Sequence, residues 1–179
     1  SILRIVERPG KIEGGEIWLR REDGSRIDLT RLDPQGIEMR SIRGGEIGLV
    51  FQEPMTSFSA YHTVGNQIIE AIRLHSDLSK QGARERAIEM LRMVGIPRPE
   101  RRIDEYAFEL SGGLRQRVMI AMALSAEPRI LIADEPTTAL DVTTQAQILD
   151  LVRRLQEEKG LAVMLITRDM GVIAEMADE

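Results

Sequence analysis

The sequence predicts an α/β protein with a parallel sheet, an N-terminal antiparallel β piece and an all-helical subdomain between strands. Three observations predict it. Short continuous apolar runs at Ile47–Phe51, Ile130–Ala133 and Leu161–Thr167 read as buried strands. Segments of helical periodicity precede and separate the last two runs, and such alternation favours parallel strands joined by right-handed crossovers. Two shorter apolar pieces flank Asp23-Gly24, which is a hairpin signal.

Taken in order, Ile2–Val6 is short, apolar and uncapped, and predicts the tail of a helix that Pro9-Gly10 ends. Glu16–Leu19 and Ile27–Leu29 are predicted strands, and polar Asp33–Arg43 is predicted to be partly helical. The run Ile47–Phe51 ends at Gln52. Beyond Glu53 the pattern turns helical. Thr63 is a predicted N-cap, followed by Ile68, Ala71, Ile72 and His75 on one face. Ser79 caps a second helix whose face is Ala83, Ala87, Met90, Leu91 and Val94, stopped by Gly95 and Pro97. Glu100–Arg102 reads as a charged surface stretch, and Leu114–Ala126 as a strong helix. Thr144 with Gln147 fits a capping box, and Ile148, Leu151, Val152 and Leu155 follow at helical spacing up to Gly160. Gly171–Met176 begins one more helix. The predicted division is 1–52 and 126–179 as two parts of one core, with 53–125 as the helical subdomain.

The 179 residues suit one domain of ordinary size, and 42% hydrophobic content can fill a core. Twenty-four basic against 29 acidic residues, a net of −5, gives no electrostatic case for nucleic acid. The absence of cysteine excludes a disulfide framework. The longest apolar run, Val118–Leu124, falls far short of the roughly 20 residues that span a bilayer, and no signal-peptide pattern is seen. Any membrane link is therefore expected to come through a partner. His62 and His75 have no partner at metal-ligand spacing and read as ordinary surface residues.

The chemistry concentrates between Leu110 and Asp141. Ser111-Gly112-Gly113 opens a helix, where free backbone N–H groups and the helix dipole suit an anion. A lone Gly-Gly pair is also an ordinary turn. Asp134-Glu135 ends an apolar strand, where one carboxylate can serve a magnesium shell and the other a water nucleophile. Taken alone, such a pair is more often a solvated strand end. Pro136–Asp141 is a turn closing on a third acid, which can also cap the next helix.

In this order the residues resemble the ATP-binding-cassette (ABC) ATPases, over about 2–178. LSGGLRQR resembles their signature motif, ILIADE their Walker B, TALD their D-loop and FQEPMTS their Q-loop; TALDVTTQAQI is closest to the peptide-importer branch. The resemblance implies a P-loop NTPase (RecA-like) core that hydrolyses ATP with Mg2+. It implies Asp134 in the metal shell, Glu135 orienting or deprotonating the attacking water, and Gln52 reaching both metal and water. Ser111, Gly112 and Gly113, with Gln116 in the same motif, are implied to contact the γ-phosphate of a nucleotide held mainly by a second ATPase subunit. Asp141 is implied to act across that dimer. The implied partners are the second subunit and membrane permease subunits at the cytoplasmic face of the cell membrane, with the helical insert docking on the permease and no nucleic acid. Two other readings are a non-transport ABC ATPase acting on DNA or ribosomes and a catalytically impaired interaction module. The acidic balance and the lack of a long coiled-coil insert disfavour the former.

The sequence departs from the family in three places. No G-x-x-x-x-G-K-[ST] phosphate loop occurs, nor the earlier adenine-stacking aromatic, and the 179 residues are expected to begin just past that loop and to stop before the last strands. Tyr106-Ala107-Phe108 stands where a Pro-His pair is expected. Arg168 stands where the family carries a histidine that contacts the γ-phosphate and positions the water. Arginine stays cationic and can still grip phosphate with two donors, but it accepts no hydrogen bond.

Two predictions follow from these departures. Each charge-assisted bond is worth roughly 1.5–3 kcal/mol, so losing several takes micromolar binding to millimolar or weaker. The 179-residue polypeptide alone is therefore expected not to bind ATP measurably, and micromolar binding by calorimetry would refute this. In protein carrying the Walker A loop, Arg168→His is expected to raise the hydrolysis rate, and an unchanged rate would refute the role given to Arg168.

Overall fold

The computed structural model describes residues 2–6, 9–53, 57–138 and 140–177. They form two compact units, 1–43 and 44–179.

In the first unit, β1 (Trp18–Arg20) and β2 (Arg26–Asp28) pair antiparallel, with Leu19 opposite Ile27. The hairpin is the one predicted around Asp23-Gly24, where Gly24 takes φ +80°. Asp28 is buried and caps a short 3-10 turn, Leu29–Arg31, accepting from Thr30 N at 3.0 Å and Thr30 Oγ1 at 2.7 Å. Helix α1 (Ile37–Gly45) follows and buries Met39 and Ile42. Ile2–Val6 is not helical as predicted; Arg4 takes φ +57°, outside the right-handed helical region.

The second unit carries a parallel three-stranded sheet in the order β3 (Ile47–Val50), β4 (Ile130–Asp134), β5 (Ala162–Ile166). Helices α2 (Val64–His75) and α3 (Lys80–Met93) form the first part of the helical insert. Their predicted caps are in place: Thr63 Oγ1 accepts from Asn66 N, and Ser79 Oγ from Gly82 N. The stretch read as merely charged surface is a one-turn helix, α4 (Pro99–Arg102), with proline at its first position. Helix α5 (Gly112–Leu124) leads into β4, α6 (Val142–Lys159) into β5, and α7 (Met170–Met176) closes the described chain.

One apolar cluster joins these layers. It runs from Ile68 and Ile72 through Met90 and Leu91 to Val118, Met119 and Leu131, then to Ile148, Val152 and Leu155. The predicted faces of α3 and α6 are the buried ones. No described helix is long and apolar enough to cross a membrane.

Two further expectations are corrected. The capping box at Thr144 and Gln147 does not exist. Helix α6 starts three residues earlier because Asp141 accepts from Thr144 N at 3.0 Å and is itself the cap. The strand after Gly160 is not buried throughout: β5 is an edge among the described strands. Val163 and Leu165 pack inward, while Met164 and Ile166 are 46% and 43% exposed.

Gly48 decides how closely α5 approaches the sheet. A Cβ there would lie 2.6 Å from the carbonyl oxygen of Ala123 and 3.1 Å from Pro128 Cγ. The first neighbour is backbone and cannot yield cheaply. Gly48→Ala is therefore expected to cost about 1–3 kcal/mol, the usual range for overpacking. Equilibrium denaturation should read this as a lower midpoint with an unchanged slope; wild-type stability would refute the packing argument.

Candidate functional site

The sheet register assembles the first group of residues. Val50 is level with Ala133, and Ala133 with Leu165. Parallel strands in this register end on the same side. The next residues outward, Gln52, Glu135 and Arg168, therefore emerge together at the C-terminal edge, where open α/β sheets bind ligands.

Glu135 is their meeting point. It lies just past β4 at φ +43°, and its N–H donates to Ile166 O at 2.8 Å. Its Oε2 accepts from Gln52 Nε2 at 3.1 Å, from Thr138 Oγ1 at 2.9 Å and from Arg168 Nη2 at 3.0 Å. Its Oε1 faces Arg168 Nε at 2.7 Å. The Glu135 side chain is only 13% exposed, against 80% for Arg168. The Arg168 guanidinium, with help from the Thr138 hydroxyl, holds the Glu135 carboxyl below the usual glutamate range.

Asp134, the last residue of β4, is half-buried. Its carboxylate has no side-chain hydrogen bond among the described residues. Thr137, Thr138 and Leu140, with Gln145, Arg168 and Asp169, continue the walls of an open cleft of about 410 Å³ around Glu135. Asp169 accepts from Gln145 Nε2 at 3.3 Å and from Gly171 N at 2.8 Å, which caps α7.

The second group sits at the mouth of α5. Ser111 is exposed and caps the helix, its Oγ accepting from Leu114 N at 3.4 Å. A Cβ on Gly113 would lie 2.5 Å from Thr144 Cγ2, so any other residue there would force Thr144 on α6 to shift. A Cβ on Gly112 would lie 3.6 Å from Leu140 Cδ2. Leu140 also lines the Glu135 cleft, so it bridges the two groups. Asp141 is exposed and engages Thr144 through backbone N–H and, at 2.6 Å, through its hydroxyl. Those bonds lower the Asp141 pKa. Gln116 is turned inward: it is 2% exposed, and its Nε2 has no hydrogen-bond partner among the described residues.

Sequence reasoning missed the contacts that Thr138, Thr144 and Gln145 make with the site carboxylates. For two of them a signal existed. Thr138 lies three residues after Glu135 in a turn, and Thr144 three after Asp141, the spacings at which side chains bond within a turn or cap. Gln145 meets Asp169 only through the tertiary fold.

The fold and this strand-end carboxylate define an ATP-binding-cassette type of core. A dimeric structure of a post-hydrolysis state of the ATP-binding cassette MJ0796, bound to ADP and Pi, superposes with a TM-score of 0.74 and 34% identity. That match covers 89% of this chain and 65% of the other. The sequence profile of the ABC transporter family matches residues 1–138, and this chain belongs to that family. It is 52% identical over 178 residues to a Brucella melitensis protein named for peptide import ATP binding, covering 99% of this chain and 52% of the relative. It is 52% identical over 179 residues to the glutathione import ATP-binding protein of Pectobacterium atrosepticum, covering 99% of this chain and 28% of that one. With the oligopeptide transport ATP-binding protein of Bacillus subtilis it shares 48% over 179 residues, again 99% of this chain and 48% of the relative. The chain spans about half the length of the first of these relatives.

Proposed function

We propose that this chain is part of the ATP-hydrolysing subunit of an ABC importer for peptides or a similar small solute. The observation that carries the reading is the convergence of three strand ends on one carboxylate, Glu135, with the mouth of α5 bordering the same cleft through Leu140. The names of the relatives support import, and the dimeric neighbour supports action in pairs. A second ATPase subunit and membrane permease subunits are the proposed partners, which places the protein at the cytoplasmic face of the membrane. The division into 1–52, 53–125 and 126–179 is proposed as the functional one, with the helical part facing the permease.

The donor set suits magnesium. Asp134 and Gln52 offer only oxygen ligands, and this cation typically takes one or two protein groups with phosphate and water completing its shell. Bound there, magnesium would neutralise charge on the phosphates. Ser111, Gly112 and Gly113 would present backbone N–H groups to the γ-phosphate of a nucleotide held mainly by the partner subunit. Gln116 is buried and does not reach solvent, so it is not proposed to touch the nucleotide. Asp141, through its cap, fixes the start of α6 facing the other subunit.

In the reaction Glu135 takes a proton from water, the water oxygen bonds to the γ-phosphorus, and the bond to the bridging oxygen breaks with its electron pair leaving on ADP. Gln52 and Thr138 orient the carboxylate for that transfer. Glu135→Gln in the full-length protein, paired with its partner subunit, is expected to lower hydrolysis by about 10²- to 10⁴-fold while ATP still binds. Phosphate-release kinetics beside an equilibrium binding assay would decide it. Near-normal turnover in the variant would remove Glu135 from the proposed role.

A further inference from the structure

A second cavity, of about 310 Å³, lies at the opposite end of the strands from Glu135. Pro128 and Leu161 line it, each just before the N-terminal end of its strand, β4 and β5 respectively. The remaining walls come from α3, from the last residue of α5 and from the end of α6. It shares no residue with the Glu135 cleft.

Its floor is apolar. Met90, Leu124, Leu155 and Leu161 are buried members of the main core cluster, and Met93 packs against them. Well-packed interiors leave few hollows larger than a water molecule, so a space of this size within the core's own side chains is unusual. Its volume falls at the small end of the range for ligand pockets. The two methionines carry flexible, polarisable thioethers that mould to an apolar guest.

The mouth carries three charges, Arg86, Glu127 and Lys159. Two of them are spent on each other: Arg86 pairs with Glu127 and, at 3.2 Å, with Glu89. Lys159 is exposed, and its side chain has no hydrogen bond or ion pair among the described residues. The end of α6 is closed without it, since the N–H groups of Gly160 and Leu161 both donate to Gln156 O. One uncommitted ammonium therefore stands beside a dry floor. An exposed ion pair alone holds a ligand weakly, but buried hydrocarbon supplies affinity and the charge then selects the head group.

We propose that this cavity binds a small amphipathic monocarboxylate, its hydrocarbon against Met90, Met93, Leu124, Leu155 and Leu161 and its carboxylate on Lys159. A bound molecule touches α3 of the helical insert and α6 of the core at once, so occupancy ties these two parts together. A cationic head group would meet Lys159 as a like charge, and a neutral one would leave it unpaired.

The test uses the full-length, nucleotide-free protein with octanoate as the probe, and octan-1-ol and octylammonium as neutral and cationic controls. Methionine-methyl NMR reads the site directly. Octanoate is expected to shift the Met90 and Met93 signals, assigned by their loss in Met90→Leu and Met93→Leu, and to leave buried Met39 of the first unit unmoved. Calorimetry reads the head group. Lys159→Gln is expected to weaken octanoate about three- to fivefold, the scale of one exposed ion pair, and to leave octan-1-ol unchanged. Met93→Trp, which fills the space, is expected to abolish octanoate binding. Lys159→Gln alters an exposed side chain, so that comparison holds even if the tryptophan variant fails to fold. Octanoate that moves neither Met90 nor Met93 would overturn the site. Octan-1-ol or octylammonium binding as tightly as octanoate, or octanoate binding that ignores Lys159→Gln, would overturn the ligand class. These measurements need no turnover, so their outcome is independent of the role of Glu135.

Discussion

The parallel register of β3, β4 and β5 is the constraint on which the site depends. Val50, Ala133 and Leu165 lie level, so three chain segments far apart in sequence leave the sheet at one edge. Gln52 and Glu135 are 83 residues apart, yet their side chains meet at 3.1 Å. A slip of one residue in either pairing would turn each side chain to the opposite face and separate the group. Gly48 and the apolar cluster guard that register, because β3 tolerates the close approach of α5 only without a side chain there.

Glu135 carries the cost of this arrangement. It holds a left-handed backbone conformation that non-glycine residues rarely adopt. Its N–H bonded to Ile166, and Thr138 N–H bonded to its carbonyl, over-determine that conformation. The strain aims the side chain out of the strand direction and across the sheet edge, where Gln52 and Arg168 wait. The sign of the local electrostatics follows: a guanidinium and a hydroxyl on the carboxylate favour its charged form.

The helices reach the site by a repeated local device. Ser111, Asp141 and Asp169 each cap a helix with a side-chain oxygen on a backbone N–H two or three residues on. At α5 and α6 the caps lock together, since Gly113 admits Thr144 where any Cβ would collide. Gly113 therefore has a packing reason that stands apart from any ligand, whereas a Cβ on Gly112 would meet Leu140 Cδ2 at an ordinary contact distance of 3.6 Å.

Much of this was legible in the sequence. Apolar runs announced the three parallel strands, cap residues with helical spacing announced α2 and α3, and helical spacing announced the body of α6, because period and capping are local properties of a chain. The ordered motifs marked Glu135, Ser111 and Asp141 as residues to watch. Local signals failed where neighbours decide: β5 read as buried until the sheet placed it at an edge, and Thr144 read as a cap until Asp141 took its N–H. Gln116 belongs by sequence to an exposed motif, but the turn of α5 carries it inward. The pairing of Arg168 with Glu135 was beyond any window of sequence, since 33 residues separate them and only the β4–β5 register brings them within 2.7 Å. The sequence determined which chemical groups this protein possesses; long-range pairing alone decided which of them touch.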